Sequence, residues 1–193
     1  MSAALVVVLA AAVAFAQTLP RVVVATEVGD IELEIDVVRA PVTAANFLRY
    51  VDAGLYRDTS FYRVVDLDND PEKEVKIRVI QGGRGEAAEI TGFAPIAHET
   101  TIASGLRHRD GVVSMARLEP GTASSEIFIC LGDQPELDHG GRRNPDGQGF
   151  AAFGRVVKGR DVVRRIHGSR REGQTLSPGI RIHGIRRAGG AAR

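Results

Sequence analysis

The histidines and the glycine-rich run of this sequence do not have the spacing of a metal site or of a phosphate-binding loop. The five histidines lack the spacing of a metal-binding motif, and His98-Glu99 does not continue into H-E-x-x-H. The glycine-rich run at 82–85 has neither the following helix nor the lysine of a phosphate-binding loop. We therefore predict that the protein holds no metal and uses no cofactor.

Two further features could suggest reactivity, and each has a simpler interpretation. Asp66, Asp68 and Asp70 alternate as calcium ligands do, but the glycine and the distal glutamate of an EF-hand loop are missing. We interpret the long polar stretch Asp66–Lys76 as a solvated loop. Cys130 is the only cysteine, so no intrachain disulfide can form, and its apolar surroundings predict a buried structural thiol.

Residues 1–16, MSAALVVVLAAAVAFA, contain no charge and end in an A-x-A pattern, Ala14-Phe15-Ala16. This pattern predicts a signal peptide cleaved before Gln17, although the start of the chain, Met1-Ser2, lacks the Lys or Arg that usually precedes the apolar run. The run is short for a membrane span of about 20 residues. We expect a mature domain, 17–193, exported to a periplasm or secreted and not inserted in the membrane. An uncleaved anchor and a mis-assigned start codon are the alternatives.

The composition indicates one soluble globular domain. The chain has 193 residues, 44% hydrophobic and 25% charged, with a formal net charge of +1. Arginine pairs at 164–165, 170–171 and 186–187 make the C-terminal third basic, but no aromatic residues interleave them as a single-strand binding surface would require. We expect a monomer that does not bind nucleic acid.

Hydrophobic periodicity predicts mainly short strands. Ile31, Leu33 and Ile35 alternate with acidic residues, which predicts a half-buried strand over Asp30–Asp36. Further strands are predicted at Arg21–Val28, Phe61–Val65, Val75–Ile80, Val112–Ala116, Glu126–Leu131, Phe150–Val157 and Gly179–Arg186, and helices at Pro41–Gly54 and Gly159–His167. Turn residues between short strands favour a closed antiparallel barrel over a parallel sheet.

Three segments together resemble the cyclophilin family of peptidyl-prolyl isomerases. They are FYRVV at Phe61–Val65, VIQGG at Val79–Gly83, and the stretch Gly111–Asp138. The resemblance implies a mainly β fold, a closed eight-stranded antiparallel barrel with one helix at each end. It also implies an enzyme that rotates X-Pro peptide bonds, with proline-containing unfolded or folding polypeptides as its partners.

Such a reaction requires no nucleophile, metal or proton relay. Peptide resonance gives a rotation barrier of roughly 18–20 kcal/mol, so a catalyst must favour the twisted bond over the planar one. By resemblance, Arg63 is the catalytic donor beside the prolyl nitrogen, and Gln81 orients it. Phe128 forms the floor of the proline pocket. Further substrate-binding positions implied by the family are Phe61, Tyr62, Val79, Ala116, Arg117, Glu126, Leu137 and Phe150.

Several positions depart from the family pattern. Tyr62 replaces a histidine, Arg78 an aromatic pocket residue, Arg117 a small polar residue, Glu126 a glutamine, Glu136 a tryptophan and Phe150 a histidine. A carboxylate at Glu126 could pair with Arg63 and withdraw it from substrate, or could favour substrates with a basic residue near proline. Because Glu136 loses the apolar contact of tryptophan, we expect weak cyclosporin binding.

Three functions remain possible from the sequence. The first is an exported prolyl isomerase that assists folding in the cell envelope, with shifted specificity and reduced activity on standard peptides. The second is a binding module that grips proline-containing segments without catalysis. The third, a barrel that stores a small apolar ligand, is disfavoured because Ile31, Leu33, Phe128 and Phe153 are expected to fill the interior.

Overall fold

Eight antiparallel strands form a closed barrel in the computed structural model, which describes residues 18–85 and 92–189. The predicted signal peptide, 1–16, lies outside the described residues. With one short strand outside the barrel, the described residues form nine strands: β1 Arg21–Thr26, β2 Gly29–Ile35, β3 Thr59–Val65, β4 Val79–Gly83, β5 Val112–Met115, β6 Ile127–Cys130, β7 Ala151–Lys158, β8 Arg171–Glu172 and β9 Thr175–Arg187. Their order is β1-β2-β7-β5-β6-β4-β3-β9, and pairing of β1 with β9 closes the ring. The predicted barrel is confirmed; the short β8 lies outside the ring as a hairpin partner of β9.

The β1–β2 hairpin shows why one glycine is required. Gly29 pairs with Thr26 and has a φ of +128°, a conformation that other residues rarely adopt. A Cβ at Gly29 would lie 2.9 Å from Cγ2 of Val162, which belongs to the second long helix. The turn therefore closes the hairpin and lets that helix pack against it.

The helices are α1 Pro41–Asp52, the single turn α2 Thr101–Ser104, and α3 Arg160–His167. In α1, Phe47 packs on Phe153 of β7 with ring centroids 5.1 Å apart. Val162, Val163 and Ile166 are the buried apolar positions of α3, at helical spacing. The predicted helices are confirmed, and α2 is additional. Across the described ranges, no helix has the length and apolar character needed to cross a membrane.

Two apolar clusters arise because successive side chains of a strand face opposite sides. In β6, Ile127 and Ile129 lie in the main core, whereas Phe128 and Cys130 lie in a second, smaller cluster. The expectation that Phe128 fills the barrel interior is therefore wrong. Ile31, Leu33 and Phe153 do lie in the main core, and Cys130 is buried as predicted.

One strand begins later than its sequence suggests. The pattern predicts Val75–Ile80, but β4 begins at Val79. The backbone before it is bound elsewhere: the Val75 carbonyl accepts from Arg143 at 2.7 Å, and the Arg78 amide donates to the Gln134 side chain at 3.2 Å. These bonds replace the sheet ladder, so residues 66–78 form one long loop.

Candidate active site

A groove of about 390 Å³ lies over the second apolar cluster. It is lined by Arg63, Lys73, Ile77, Val79, Gln81, Ala116, Arg117, Leu118, Phe128, Leu137, Arg143, Asn144 and Phe150. Neighbouring strands supply Arg63, Val79, Gln81 and Phe128. The loops at 66–78 and 138–150 and the segment that follows β5 supply most of the other lining residues.

A row of cross-strand partners builds the centre of the site. Arg63 on β3 pairs with Gln81 on β4 and with Thr175 on β9, and Gln81 pairs in turn with Phe128 on β6. Residues opposite each other in neighbouring strands share a face of the sheet, which brings these side chains together. The register of β3 shifts between Phe61 and Arg63 against both neighbours, an irregularity of the kind that re-aims a side chain.

Three nitrogens hold the Arg63 guanidinium in place. Nη1 donates to Oε1 of Gln81 at 2.8 Å, while Nε and Nη2 donate to Oε1 of Gln174 at 2.8 and 2.6 Å. Burial lowers the pKa of Arg63, and the charge of Arg143 lowers it further. Arginine nevertheless stays protonated in proteins. Since both acceptors are neutral amide oxygens, the guanidinium is oriented without having its charge cancelled.

A hydrogen-bond chain continues behind Gln81. The Gln81 amide donates to the Tyr62 hydroxyl at 3.1 Å, and that hydroxyl donates to Oε2 of Glu126 at 2.7 Å. Burial raises the pKa of Tyr62, as does the negative charge of Glu126. The other Glu126 oxygen accepts from the backbone amides of Arg84 and Gly85 at 2.7 and 3.0 Å. Glu126 is therefore linked to Arg63 through Tyr62 and Gln81. The predicted pairing of Glu126 with Arg63 is wrong.

The floor of the groove is apolar and partly aromatic. The rings of Phe128 and Phe150 meet edge to face with centroids 5.2 Å apart. Val79 and Leu137 complete the floor, and both are buried. Gly149, at φ +63°, allows the loop before Phe150 to lie close to the backbone of Leu137. A Cβ at Gly149 would lie 2.5 Å from the Leu137 carbonyl oxygen.

A buried polar chain supports Phe128 from below. The His108 ring is stacked on Phe128 with centroids 5.9 Å apart. Its Nδ1 lies 2.7 Å from Oδ1 of Asp138, and its Nε2 lies 3.0 Å from the Ser114 hydroxyl. Burial favours a raised pKa for Asp138, but the hydrogen bonds from His108 prevail and lower it. Each polar group has a partner, as burial requires.

Arg117 forms one wall of the groove. Its side chain is only 1% exposed, and it pairs with both carboxylate oxygens of Asp146 at 2.8 and 2.9 Å. Nε and Nη2 donate to the Gly149 carbonyl, and the guanidinium lies 5.4 Å from the centre of the Phe150 ring. The unusual arginine thus ties the strand edge at Ala116 to the loop that carries Phe150.

Arg143 joins the two long loops across another wall. It is 8% exposed, donates to Oδ2 of Asp70 at 2.5 Å, and also donates to the Val75 carbonyl. Lys76 donates to the Asp70 carbonyl at 2.6 Å. The loop Asp66–Lys76, predicted to be merely solvated, therefore packs against the second loop and contributes Lys73 to the groove.

The structure gathers eight of the proposed site residues in the groove. They are Arg63, Val79, Gln81, Ala116, Arg117, Phe128, Leu137 and Phe150. Tyr62 and Glu126 lie behind Gln81, in the chain described above. Phe61 is placed elsewhere: it is completely buried in the main core and does not line the groove.

Two of the departures, Arg78 and Glu136, do not line the groove. Arg78 donates to Asp66 at 3.1 Å, and buried Ile77 lines the floor next to Val79 instead. Glu136 accepts from the Arg142 amide at 2.8 Å.

The sequence motifs do not indicate Gln174, Lys73 or Arg143 as site residues. Gln174 lies 111 positions from Arg63, and no local pattern indicates their contact.

This arrangement can hold an apolar ring on its floor and present a charged donor above it. Within the described ranges, no group of three or more His, Cys, Asp or Glu side chains could hold a metal ion. Cys130 is buried, and burial raises the pKa of its thiol, which disfavours the nucleophilic thiolate. The geometry is that of a site which binds an apolar ring and directs a hydrogen-bond donor at it.

Comparison with known proteins agrees with this geometry. Residues 21–187 match the model of the cyclophilin type peptidyl-prolyl cis-trans isomerase/CLD family. The peptidyl-prolyl cis-trans isomerase A of Dickeya dadantii is 38% identical over 155 residues, which cover 78% of this chain and 73% of that protein. The isomerase cyp18 of Streptomyces antibioticus is 38% identical over 146 residues, 74% of this chain and 80% of that protein.

Solved structures share the fold. The crystal structure of a cyclophilin type peptidyl-prolyl cis-trans isomerase of Cryptosporidium parvum superposes with a TM-score of 0.72 at 21% identity, covering 90% of this chain and 99% of that one. A second structure of that protein, in the presence of the dipeptide Ala-Pro, gives a TM-score of 0.70. With the family model and these relatives, the chain belongs to the cyclophilin type peptidyl-prolyl cis-trans isomerases, and its enzyme class is that of isomerases acting on X-Pro peptide bonds.

Proposed function

We propose that this cyclophilin is exported and rotates X-Pro bonds of folding polypeptides in the cell envelope, with Arg63 as its catalytic donor. In this proposal the proline ring lies on the floor made by Val79, Phe128 and Leu137, and Arg63 donates toward the prolyl nitrogen. The relative solved in the presence of Ala-Pro supports a proline-containing ligand for this fold.

The physical basis of catalysis is differential binding. When the C–N bond twists, the nitrogen loses its resonance with the carbonyl and gains a lone pair that can accept a hydrogen bond. A donor aimed at that nitrogen stabilises the twisted state more than the planar ground state, which is what accelerates a reaction. A donor already fixed by the protein needs little reorganisation during the step.

The orientation of Arg63 is the observation that carries the proposal. Gln81 and Gln174 fix its guanidinium from two sides through neutral oxygens, so the charge remains available over an apolar floor. A binding module that only grips proline needs the floor but has no need of a fixed, uncancelled cation. The arrangement therefore favours catalysis over binding alone.

Catalysis and binding can be measured on one neutral peptide containing a Gln-Pro bond. Isomer exchange followed by NMR reports the rate of rotation, and chemical-shift titration reports binding in the same sample. Uncatalysed exchange takes tens to hundreds of seconds. We expect the protein to make it much faster. Binding without acceleration would assign the protein to the proline-binding modules.

Export is tested by sequencing the N-terminus of the protein from the producing cell. A mature chain that begins at Gln17 in the extracytoplasmic fraction is the expected result. A chain that retains residues 1–16 in the cytoplasm would overturn the envelope part of the proposal and leave the isomerase part standing.

A further inference from the structure

The groove is lined by four cationic side chains. Arg63, Lys73, Arg117 and Arg143 face it, and among its lining residues in the described part of the chain none carries a carboxylate. A peptide that binds here meets an apolar floor surrounded by positive groups. Only a cation that is not paired with a carboxylate of the protein can attract a charged peptide strongly.

Two of the four cations are neutralised by carboxylates of the protein. Arg117 is paired with both oxygens of Asp146, and Arg143 is paired with Asp70. Both arginines are nearly inaccessible, so these ion pairs fix the walls of the groove rather than contact substrate freely.

The other two cations are not neutralised. Among the described residues, Arg63 donates to the amide oxygens of Gln81 and Gln174 alone, and the nearby Asp70 is already paired with Arg143. Lys73 is exposed, and its ammonium group has no ion-pair partner within residues 18–85 and 92–189. Glu72 and Glu74 are its exposed neighbours in the loop, but neither lines the groove.

We propose that the groove selects proline segments with an acidic residue adjacent to the proline, and that Lys73 determines this specificity. The inference rests on the proposed isomerase function and names its preferred substrate. Complementary charges raise the encounter rate and stabilise the bound peptide, and the apolar floor weakens screening beside it. The contribution of Lys73 comes from a loop docked by Arg143, so the second loop indirectly sets the preference.

The preference can be measured on matched peptides that differ only next to proline. Glu, Gln or Lys is placed directly before proline in one series and directly after it in another, and kcat/KM is obtained from NMR exchange rates. We expect the Glu peptide to exceed the Gln peptide by roughly two- to fivefold in at least one series, with the Lys peptide lowest, a range typical of an exposed charge pair. Raising the salt from 0.05 M to 0.5 M should reduce the ratio, because screening shortens the reach of charges.

Two lysine variants locate the source of the preference. Lys73→Gln should bring the Glu/Gln ratio toward one, and Lys73→Glu should invert it. Lys158→Gln removes the same charge from an exposed lysine on β7, paired with Glu32 at 2.8 Å, and should leave the ratio as in the wild type.

The outcomes separate the two proposals. Equal rates for Glu, Gln and Lys peptides in both series, with exchange clearly accelerated, would overturn the acidic preference and leave the isomerase intact. Loss of the preference in Lys158→Gln as well would show an effect of net charge and would also overturn the role of Lys73. No acceleration on any peptide would instead contradict the proposed function itself.

Discussion

Arg63 obtains its orientation from two glutamines that approach from opposite sides of β3. Gln81 belongs to β4 and Gln174 precedes β9, the two strands that flank β3 in the barrel. Behind Gln81, Tyr62 and Glu126 replace the histidine and glutamine of the family pattern as a hydrogen-bonded pair, 2.7 Å apart. The two replacements are therefore coupled, and together they hold the amide of Gln81.

Removing the Tyr62 hydroxyl should disturb Arg63 at a distance. Tyr62→Phe takes away the acceptor of the Gln81 amide, so Gln81 can turn and release its bond to Arg63. We expect kcat/KM to fall about three- to tenfold, since a hydrogen bond contributes about 1 kcal/mol and each 1.4 kcal/mol is a factor of ten. Peptide exchange kinetics measure the effect.

Tyr50→Phe provides the matched control. Its hydroxyl is hydrogen-bonded to the Phe93 backbone, away from the groove. This variant should alter thermal stability and leave kcat/KM unchanged. If Tyr62→Phe retains full activity, the chain through Tyr62 has no positioning role.

Glu136 leads to a second residue-level prediction. Its carboxylate accepts from the Arg142 amide at 2.8 Å and from the Arg142 side chain, and it does not line the groove. We expect weak cyclosporin binding by calorimetry and tighter binding after Glu136→Trp. Wild-type binding as tight as that of Glu136→Trp would contradict the prediction.

Among the structural elements, the two long loops matter as a pair. The loop 66–78 carries Ile77 and Lys73, and the loop 138–150 carries Asn144 and Phe150; all four line the groove. Arg143 connects them through Asp70 and the Val75 carbonyl. The walls of the groove therefore depend on loop docking as well as on the barrel.

Arg143→Ala should separate the loops. Removing one member of a mostly buried ion pair leaves its partner uncompensated. We expect a loss of about 3 kcal/mol in the free energy of unfolding, the lower end for a buried pair, because both side chains keep some exposure. Peptide affinity should weaken as well, because the wall loses its support. Chemical denaturation and peptide titration measure the two effects.

The neighbouring Arg142 is a suitable control because its side chain is 69% exposed and pairs only at the surface. Arg142→Ala should cost about 0.5 kcal/mol or less. Equal losses in the two variants would argue against a special role for Arg143.

Local patterns predicted most of the elements but not the loop contacts. Alternation in β2 and the Pro41 start of α1 depend on residues close in sequence, and both appear as expected. The start of β4 was misplaced because Val75–Arg78 bind partners more than 50 positions away.

Contacts between residues distant in sequence also limited the prediction of the site. Gln81 follows from a motif, whereas Gln174 and Arg143 act through contacts distant in sequence that no motif encodes.

At the scale of the whole molecule, the burial of histidines and the ion pairing of surface carboxylates make stability depend on pH. Burial is the main cause that lowers the pKa of His98 and of His167. Hydrogen bonds from Arg187 lower the pKa of Asp52, and those from Arg181 lower that of Asp58. The folded state thus resists protonation at both kinds of group.

Both the histidines and the carboxylates make the protein less stable as pH falls. Below about pH 6.5 the unfolded chain protonates its histidines while the folded chain binds fewer protons, so stability falls as pH falls. A second loss follows below about pH 4, when the unfolded carboxylates take up protons. We expect Tm to decrease from pH 7 to pH 5 and again below pH 4.

His167→Gln should flatten the first decrease, and the same change at the exposed His183 should not. Scanning calorimetry across this range measures both. A Tm that stays constant or rises between pH 7 and pH 5 would contradict the account.

In the proposed function, a fixed and uncancelled Arg63 makes this barrel a catalyst. The most direct measurement is kcat/KM for isomer exchange of a Gln-Pro peptide by the wild type, Arg63→Ala and Arg63→Lys. Removing a preorganised donor typically costs 10²–10³-fold, so we expect about a hundredfold loss in Arg63→Ala and incomplete recovery in Arg63→Lys, whose ammonium lacks the planar fork. Comparable exchange rates in the wild type and in Arg63→Ala, with both proteins folded, would contradict it.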